Sequence, residues 1–273
     1  MSINIDTSLI ENFKTNGIIQ FKEFLNKKDL NFVEKILIKK KHIKGKKDSF
    51  LFRSKGNFFL QKILNFEWLG IVDSLQLLNL AKKLNLNELS EKMLGKKAKL
   101  KYIDSYFSEI SKEKILDWHV DQAYTGDLNP KKYVNPDHAS LKFFIYLTDV
   151  GTNDGCLGYV PESHKILYYL KLGIFNGEIK YKPYWKLKDL RKLVAEDYRN
   201  YLEKKITKEV LNTFLERTNF VDKNNYDTSD YDYVVKKGDA VIFDESGVHR
   251  GAEPQKTNRL VLRFVYTIFD ATE

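Results

Sequence analysis

Short stretches dominated by branched and aromatic residues constrain what this chain can fold into. Segments 98–108, 114–121 and 141–148 are rich in Ile, Tyr, Phe and Leu, and the same pattern returns at 232–236, 240–243 and 259–268. In Arg259–Tyr266, strand alternation places Arg259 and Arg263 on one face with the valines, and Leu260, Leu262, Phe264 and Tyr266 on the other. Asn153-Asp154-Gly155 predicts a tight turn joining 141–148 to 157–160 as a hairpin, and Gly238-Asp239 a turn between 232–236 and 240–243.

The first third has helical character. Ser8-Leu9-Ile10-Glu11 has the form of a capping box opening a short helix that Gly17 closes, followed by a brief strand to Phe21. Apolar spacing predicts helices from Asn26 to about His42, at about 71–85, and at about 87–94 with Gly95 as the stop. Further helical patterns at about 186–204 and 207–217 interrupt the strands, and Asp222–Asp230 reads as a polar loop. Strands on both sides of a helical insertion, with helices ahead of them, predict one domain: a mainly β barrel or double-sheet core with helical flanks.

Composition excludes several function classes. Hydrophobic residues at 42% and aromatics at 14% are enough to build a core, so the chain is not a disordered one. A net charge of +9 invites a nucleic-acid reading. The lysines, however, run from Lys14 to Lys256 with acidic residues interleaved, without a basic arm or nucleic-acid motif, so no nucleic-acid partner is expected. The single cysteine, Cys156, excludes an internal disulfide and a cysteine-rich zinc site, and suits a reducing cytosol. Met1–Asp6 lacks the basic-then-apolar pattern of a signal peptide, and no run of about 18 apolar residues is present. The expectation is a cytoplasmic protein with no membrane span.

The stretch Trp118-His119-Val120-Asp121-Gln122 puts a histidine and a carboxylate two residues apart. On a strand the two leave the same face, and a histidine arriving from elsewhere would complete a 2-His-1-carboxylate site, the arrangement of non-haem Fe(II) oxygenases. Alone, such a triplet is weak; its usual place is a solvated turn or strand edge. Among the other histidines, His42 falls in a basic helix, His138 in a loop, and His164 after a strand, where a structural role is the better reading. His249 differs, because it directly follows a buried strand. Arg259 and Arg263 either point to water or point inward, where each would need an anionic partner.

Several stretches, in order, resemble the phytanoyl-CoA dioxygenase family of Fe(II)- and 2-oxoglutarate-dependent oxygenases. They are Asn16–Ile19, Trp118–Tyr124, Leu141–Asp149 with Asn153–Leu157, Val160–Lys165, and Gly238–Phe243 followed by His249-Arg250-Gly251. Arg259 stands ten residues past His249, close to where the family keeps its 2-oxoglutarate arginine. The resemblance implies a double-stranded β-helix, a cupin-like jelly-roll barrel. It implies that His119, Asp121 and His249 hold iron as the catalytic centre, that Arg259 takes 2-oxoglutarate with Arg263 as the fallback, and that O₂ is the other cosubstrate. Phe144, Tyr102 and Tyr106 become candidates for packing or hydrogen bonding to the cosubstrate, and Gln122, Tyr124 and Arg250 for touching the substrate.

Two departures stand out: Glu162 where the family usually has glycine, and a long helix-rich segment at about 166–235, a candidate substrate lid. The aromatics Tyr168, Tyr169, Tyr181, Tyr184 and Trp185 either line a pocket there or anchor the segment. The expected activity is hydroxylation of a small, anionic metabolite with release of succinate and CO₂, the positive charge favouring an anion by steering. Desaturation, ring closure or epimerisation would use the same ligands, and a jelly-roll binding module that has lost catalysis is the alternative from another class. Asp121 argues against a halogenase, since related halogenases replace that carboxylate by a small residue.

Overall fold

A computed structural model of the chain describes residues 6–41, 49–55, 71–110, 116–121, 139–152, 154–180, 186–224 and 229–268. The helices are Thr7–Asn16 (α1), Lys27–Lys41 (α2), Ile71–Lys83 (α3), Leu86–Leu94 (α4), Ser163–Phe175 (α5), Leu187–Lys192 (α6), Arg199–Glu203 (α7) and Lys208–Lys223 (α8). A π-helical turn, Leu193–Asp197, joins α6 to α7. The strands are Ile18–Phe21 (β1), Ser49–Lys55 (β2), Ala98–Ser108 (β3), Leu116–His119 (β4), Ser140–Tyr146 (β5), Leu157–Tyr159 (β6), Asp232–Tyr233 (β7), Ala240–Asp244 (β8), His249–Gly251 (β9) and Arg259–Ile268 (β10). They form a six-stranded sheet in the order β1-β8-β5-β10-β3-β2 and a four-stranded sheet in the order β4-β9-β6-β7, with antiparallel pairing throughout. This is the jelly-roll layout expected from the sequence.

Strand alternation separates three apolar layers. On the outer face of the large sheet, Leu141, Phe143, Ile145, Leu260, Leu262, Phe264 and Tyr266 pack against α1 to α4. Between the sheets lie Ile18, Phe144, Tyr146, Val241, Phe243 and Val261 from the large sheet and Leu157 and Tyr159 from the small one. On the outer face of the small-sheet side, Trp118, Val120 and Val248 pack with Ile166, Leu170, Leu190, Leu211 and Phe214 from α5, α6 and α8. β5 is therefore buried along its whole length, with both faces covered.

Several expectations are corrected. Asp6, not Ser8, caps α1, its side chain accepting from the Ser8 N–H; Gly17 does close the helix, in the left-handed region at φ 76°. The Asp154-Gly155 turn exists, with Gly155 at φ 82°, yet β5 and β6 do not pair. The chain leaves the large sheet after β5 and enters the small one at β6. β7 to β8 makes the reverse crossing, and the two crossing segments pair through Val150 and Val235, which exchange backbone hydrogen bonds of 3.0 Å. Turn chemistry fixed the bend, and burial of both sheets' inner faces chose the partners. β2 and α5 are additional elements that the periodicity reading passed over. The strand expected at 114–121 ends at His119, and the helix expected at 186–204 is broken into three pieces.

Candidate metal centre

β4 and β9 are neighbours, with His119 opposite His249 in register. Asp121 lies just past the end of β4, so the two ligands of the His-x-Asp triplet do not both stand on a strand, yet they converge. Potential ligand atoms of His119, Asp121 and His249 all lie within 4.8 Å of one another. His119 Nε2 is 3.3 Å from Asp121 Oδ1, and His249 Nε2 is 3.4 Å from Asp121 Oδ2. The imidazole centroids are 4.4 Å apart.

The other ring nitrogens are already committed. His119 Nδ1 lies 2.7 Å from the Asp117 carbonyl, and His249 Nδ1 lies 2.8 Å from the Gly247 carbonyl. A carbonyl only accepts, so each Nδ1 carries a proton, and Nε2 of each ring is the atom turned toward Asp121. Burial lowers the His249 pKa, which keeps that ring neutral. Burial works against ionisation of Asp121, but the Lys142 ammonium together with the contacts from His249 and His119 outweighs burial and holds the carboxyl well below the usual range. Two imidazoles oriented by backbone carbonyls, with Nε2 turned inward, and one carboxylate form a donor set suited to a divalent transition metal.

The interior face of β10 supplies the two arginines, which are buried rather than pointed to water. Arg263 makes a two-pronged pair with Asp104 of β3, Nε to Oδ1 and Nη2 to Oδ2, both at 2.7 Å. Its guanidinium lies 5.5 Å from the Tyr102 ring and 5.7 Å from the Phe144 ring. Arg259 sits one strand repeat away and donates to the Gly155 carbonyl at 2.6 Å and the Ser108 hydroxyl at 3.0 Å, both neutral acceptors. The Asp154 carboxylate accepts the backbone N–H groups of Gln255 and Lys256 at 2.8 and 2.6 Å. It thereby ties the Asp154-Gly155 turn to the segment that delivers Arg259.

Arg250 is not brought to the cluster. Alternation along β9 turns it away from His249; it donates to Asp232 Oδ1 at 3.0 Å and lies 5.2 Å from the Trp118 ring. Gln122, Tyr124, His42, His138, Tyr181, Tyr184 and Trp185 lie outside the described residues, as does the side chain of Tyr106.

Sequence reasoning missed three charged residues in this interior: Lys142, Asp104 and Glu245. Lys142, 7% exposed on β5, contacts Asp121 Oδ2 and lies 3.6 Å from Glu245 Oε2. A lysine alternating with Phe144 and Tyr146 inside an otherwise apolar strand was the signal that could have found it. A cavity of about 250 Å³ adjoins the segment leading to His249; its walls include Lys171, Lys165, His164, Tyr168, Asp244 and Ser246. Lys171 is buried in α5, and burial pushes its pKa down to about 8. His164 also donates from Nε2 to the Lys14 carbonyl at 3.1 Å, tying α5 to α1.

The sequence matches the family model of phytanoyl-CoA dioxygenase (PhyH) over residues 32–260. Among curated proteins no sequence relative is found. Solved structures share the fold at low identity. The 2-oxoglutarate-dependent carbocyclase SnoK from nogalamycin biosynthesis aligns at TM-score 0.57 and 13% identity, covering 98% of this chain and 86% of its own. EvdO2 from Micromonospora carbonacea var. aurantiaca, complexed with 2-oxoglutarate, aligns at TM-score 0.53 and 12% identity, covering 98% and 93%. HygX from Streptomyces hygroscopicus, with nickel and 2-oxoglutarate bound, aligns at TM-score 0.52 and 16% identity, covering 97% and 87%. Among the described residues, no helix is long and apolar enough to cross a membrane.

Proposed function

The chain belongs to the phytanoyl-CoA dioxygenase family of Fe(II)- and 2-oxoglutarate-dependent oxygenases, and from that premise we propose that it hydroxylates a small anionic metabolite. The observation that carries the reading is the convergence of His119, Asp121 and His249 with both Nδ1–H groups tied to backbone carbonyls. In this reading those three side chains hold the iron. Bound there with 2-oxoglutarate, iron supplies oxidising power from O₂ as succinate and CO₂ are released.

The protein's own share is binding and orientation. Arg259 takes the distal carboxylate of 2-oxoglutarate, because a planar, permanently charged fork on the interior face of β10 suits a carboxylate. Arg263 is disfavoured for that task, since Asp104 already fills its fork. Phe144 and Tyr102 flank Arg263 and wall the same interior. Lys171 and Lys165, in the wall of the cavity beside the metal segment together with one carboxylate, Asp244, support an anionic substrate. The helices between 163 and 223 belong to the same single domain, with α5 as the wall through which they reach the substrate. SnoK is a carbocyclase by its name, so ring closure at the same three ligands is the second reading.

A metabolite screen for substrate-dependent succinate release tests the proposal. Under ¹⁸O₂ a hydroxylated product gains one labelled oxygen, whereas ring closure loses two hydrogens and gains no oxygen. Asp121→Ala should abolish substrate-dependent succinate formation and binding of Ni(II). An Asp121→Ala protein that turned over at the native rate would sink the ligand assignment, and a wild-type protein that retained no divalent metal would leave the binding-module reading standing.

A further inference from the structure

Lys142 reaches the metal-ligand cluster without being one of its ligands. Its ammonium meets Asp121 Oδ2, the oxygen that also stands 3.4 Å from His249 Nε2. In the protein without metal, the charge opposite Asp121 is therefore already supplied. A divalent ion entering the cluster takes over that oxygen and meets an ammonium nearby, inside a water-poor interior where like charges repel strongly. Glu245, 3.6 Å from Nζ, offers the ammonium a second carboxylate, but that side chain is itself buried and offsets one charge only. Three positive charges then face two carboxylates: the dication and Lys142 against Asp121 and Glu245. An additional anion is what restores the balance.

We propose that Lys142 is a positioning residue that couples metal binding to the arrival of an anion: it neutralises Asp121 in the metal-free protein and faces the carboxylate delivered with 2-oxoglutarate in the loaded one. The inference rests on the metal-centre reading above and adds an order of events to it. Metal alone binds against the lysine; metal with 2-oxoglutarate binds with its help. Because such coupling is reciprocal, metal must strengthen 2-oxoglutarate binding by the same factor. A lysine retained only to fill the core or pair with Glu245 would leave the coupling the same with and without its charge.

The test is calorimetric titration of the full chain with Ni(II), with and without saturating 2-oxoglutarate, and needs no turnover. In the wild type, 2-oxoglutarate should tighten Ni(II) binding by about tenfold or more, within the usual range of coupling between sites. Lys142→Met keeps the length of the side chain and removes its charge; it should bind Ni(II) alone more tightly than the wild type and lose most of the coupling. Lys142→Met leaves Glu245 buried without this counter-ion, so the double variant Lys142→Met/Glu245→Gln serves as the folded control if the single one fails to fold. Lys142→Arg should keep the coupling. A variant lacking the lysine whose 2-oxoglutarate coupling equals the wild type's overturns the proposal, whatever its affinity for the ion. Absence of Ni(II) binding in every protein, wild type included, overturns the metal-centre reading instead and this inference with it.

Discussion

At the scale of single residues, the two interior arginines separate into different tasks. Arg263 and Asp104 form a two-pronged pair inside the protein, so Arg263→Ala should take that partner from a fully buried carboxylate and cost about 3–5 kcal/mol, visible in a denaturant titration. Arg259→Ala should instead raise the 2-oxoglutarate concentration needed for succinate release by about 10–100-fold, the scale of charge-assisted hydrogen bonds. The reverse pattern would transfer the cosubstrate role to Arg263. Lys171 gives a pH signature. Its pKa in the folded protein, about 8, lies below the ordinary 10.5, so between those values the unfolded chain binds more protons and stability rises with pH. Below pH 8 the burial penalty is fully present. Lys171→Met should therefore stabilise the protein near pH 7, by up to about 3 kcal/mol, with the gain shrinking above pH 8 and absent near 10.5. The same substitution should weaken binding of an anionic substrate. Of these residues, the face of Arg259 and Arg263 was readable from alternation in β10; their partners were not, because Asp104 lies 159 positions from Arg263.

Among the elements, α5 shows how a family departure is accommodated. Glu162, at its N-terminal edge, has φ 68°, a left-handed conformation that glycine adopts freely and glutamate does not. Its carboxylate pairs with Lys165 and with Arg217 of α8, each at 3.1 Å, pinning the start of α5 to the far end of the insertion. Glu162→Ala loses those pairs and keeps the strained backbone; Glu162→Gly loses the pairs and relieves it. The glycine variant should be more stable than the alanine one by about 1 kcal/mol in thermal or urea unfolding. Equal stability would mean that the backbone relaxes at no cost. The sequence marked Glu162 as a departure, while its backbone conformation depends on how α5 docks. Similarly, Asp154-Gly155 was legible as a turn, but its use as a clamp on the Gln255–Lys256 backbone depends on a segment about a hundred residues away.

For the molecule as a whole, the insertion is part of the architecture that holds the candidate metal ligands. Its helices share one apolar layer with Trp118 and Val120, the residues on either side of His119, and with Val248, the residue before His249. Phe214→Ala, in the middle of that layer, should cost about 3–5 kcal/mol and weaken Ni(II) binding together with stability. A detached lid would leave the melting temperature unchanged. The family resemblance named His249 as the partner of the histidine–aspartate triplet, while sequence alone determined the β-rich core, the faces of its strands, the triplet itself and the helical interruption. These follow from backbone periodicity and side-chain chemistry acting over a few residues. Tertiary structure decided which sheet each strand joins, that β5 and β6 part company at their turn, and that Lys142 and Asp104 carry the interior's compensating charge. Those outcomes come from burying both faces of two sheets at once, and from the cost of an uncompensated charge in that interior. Only the folded chain brings such terms together.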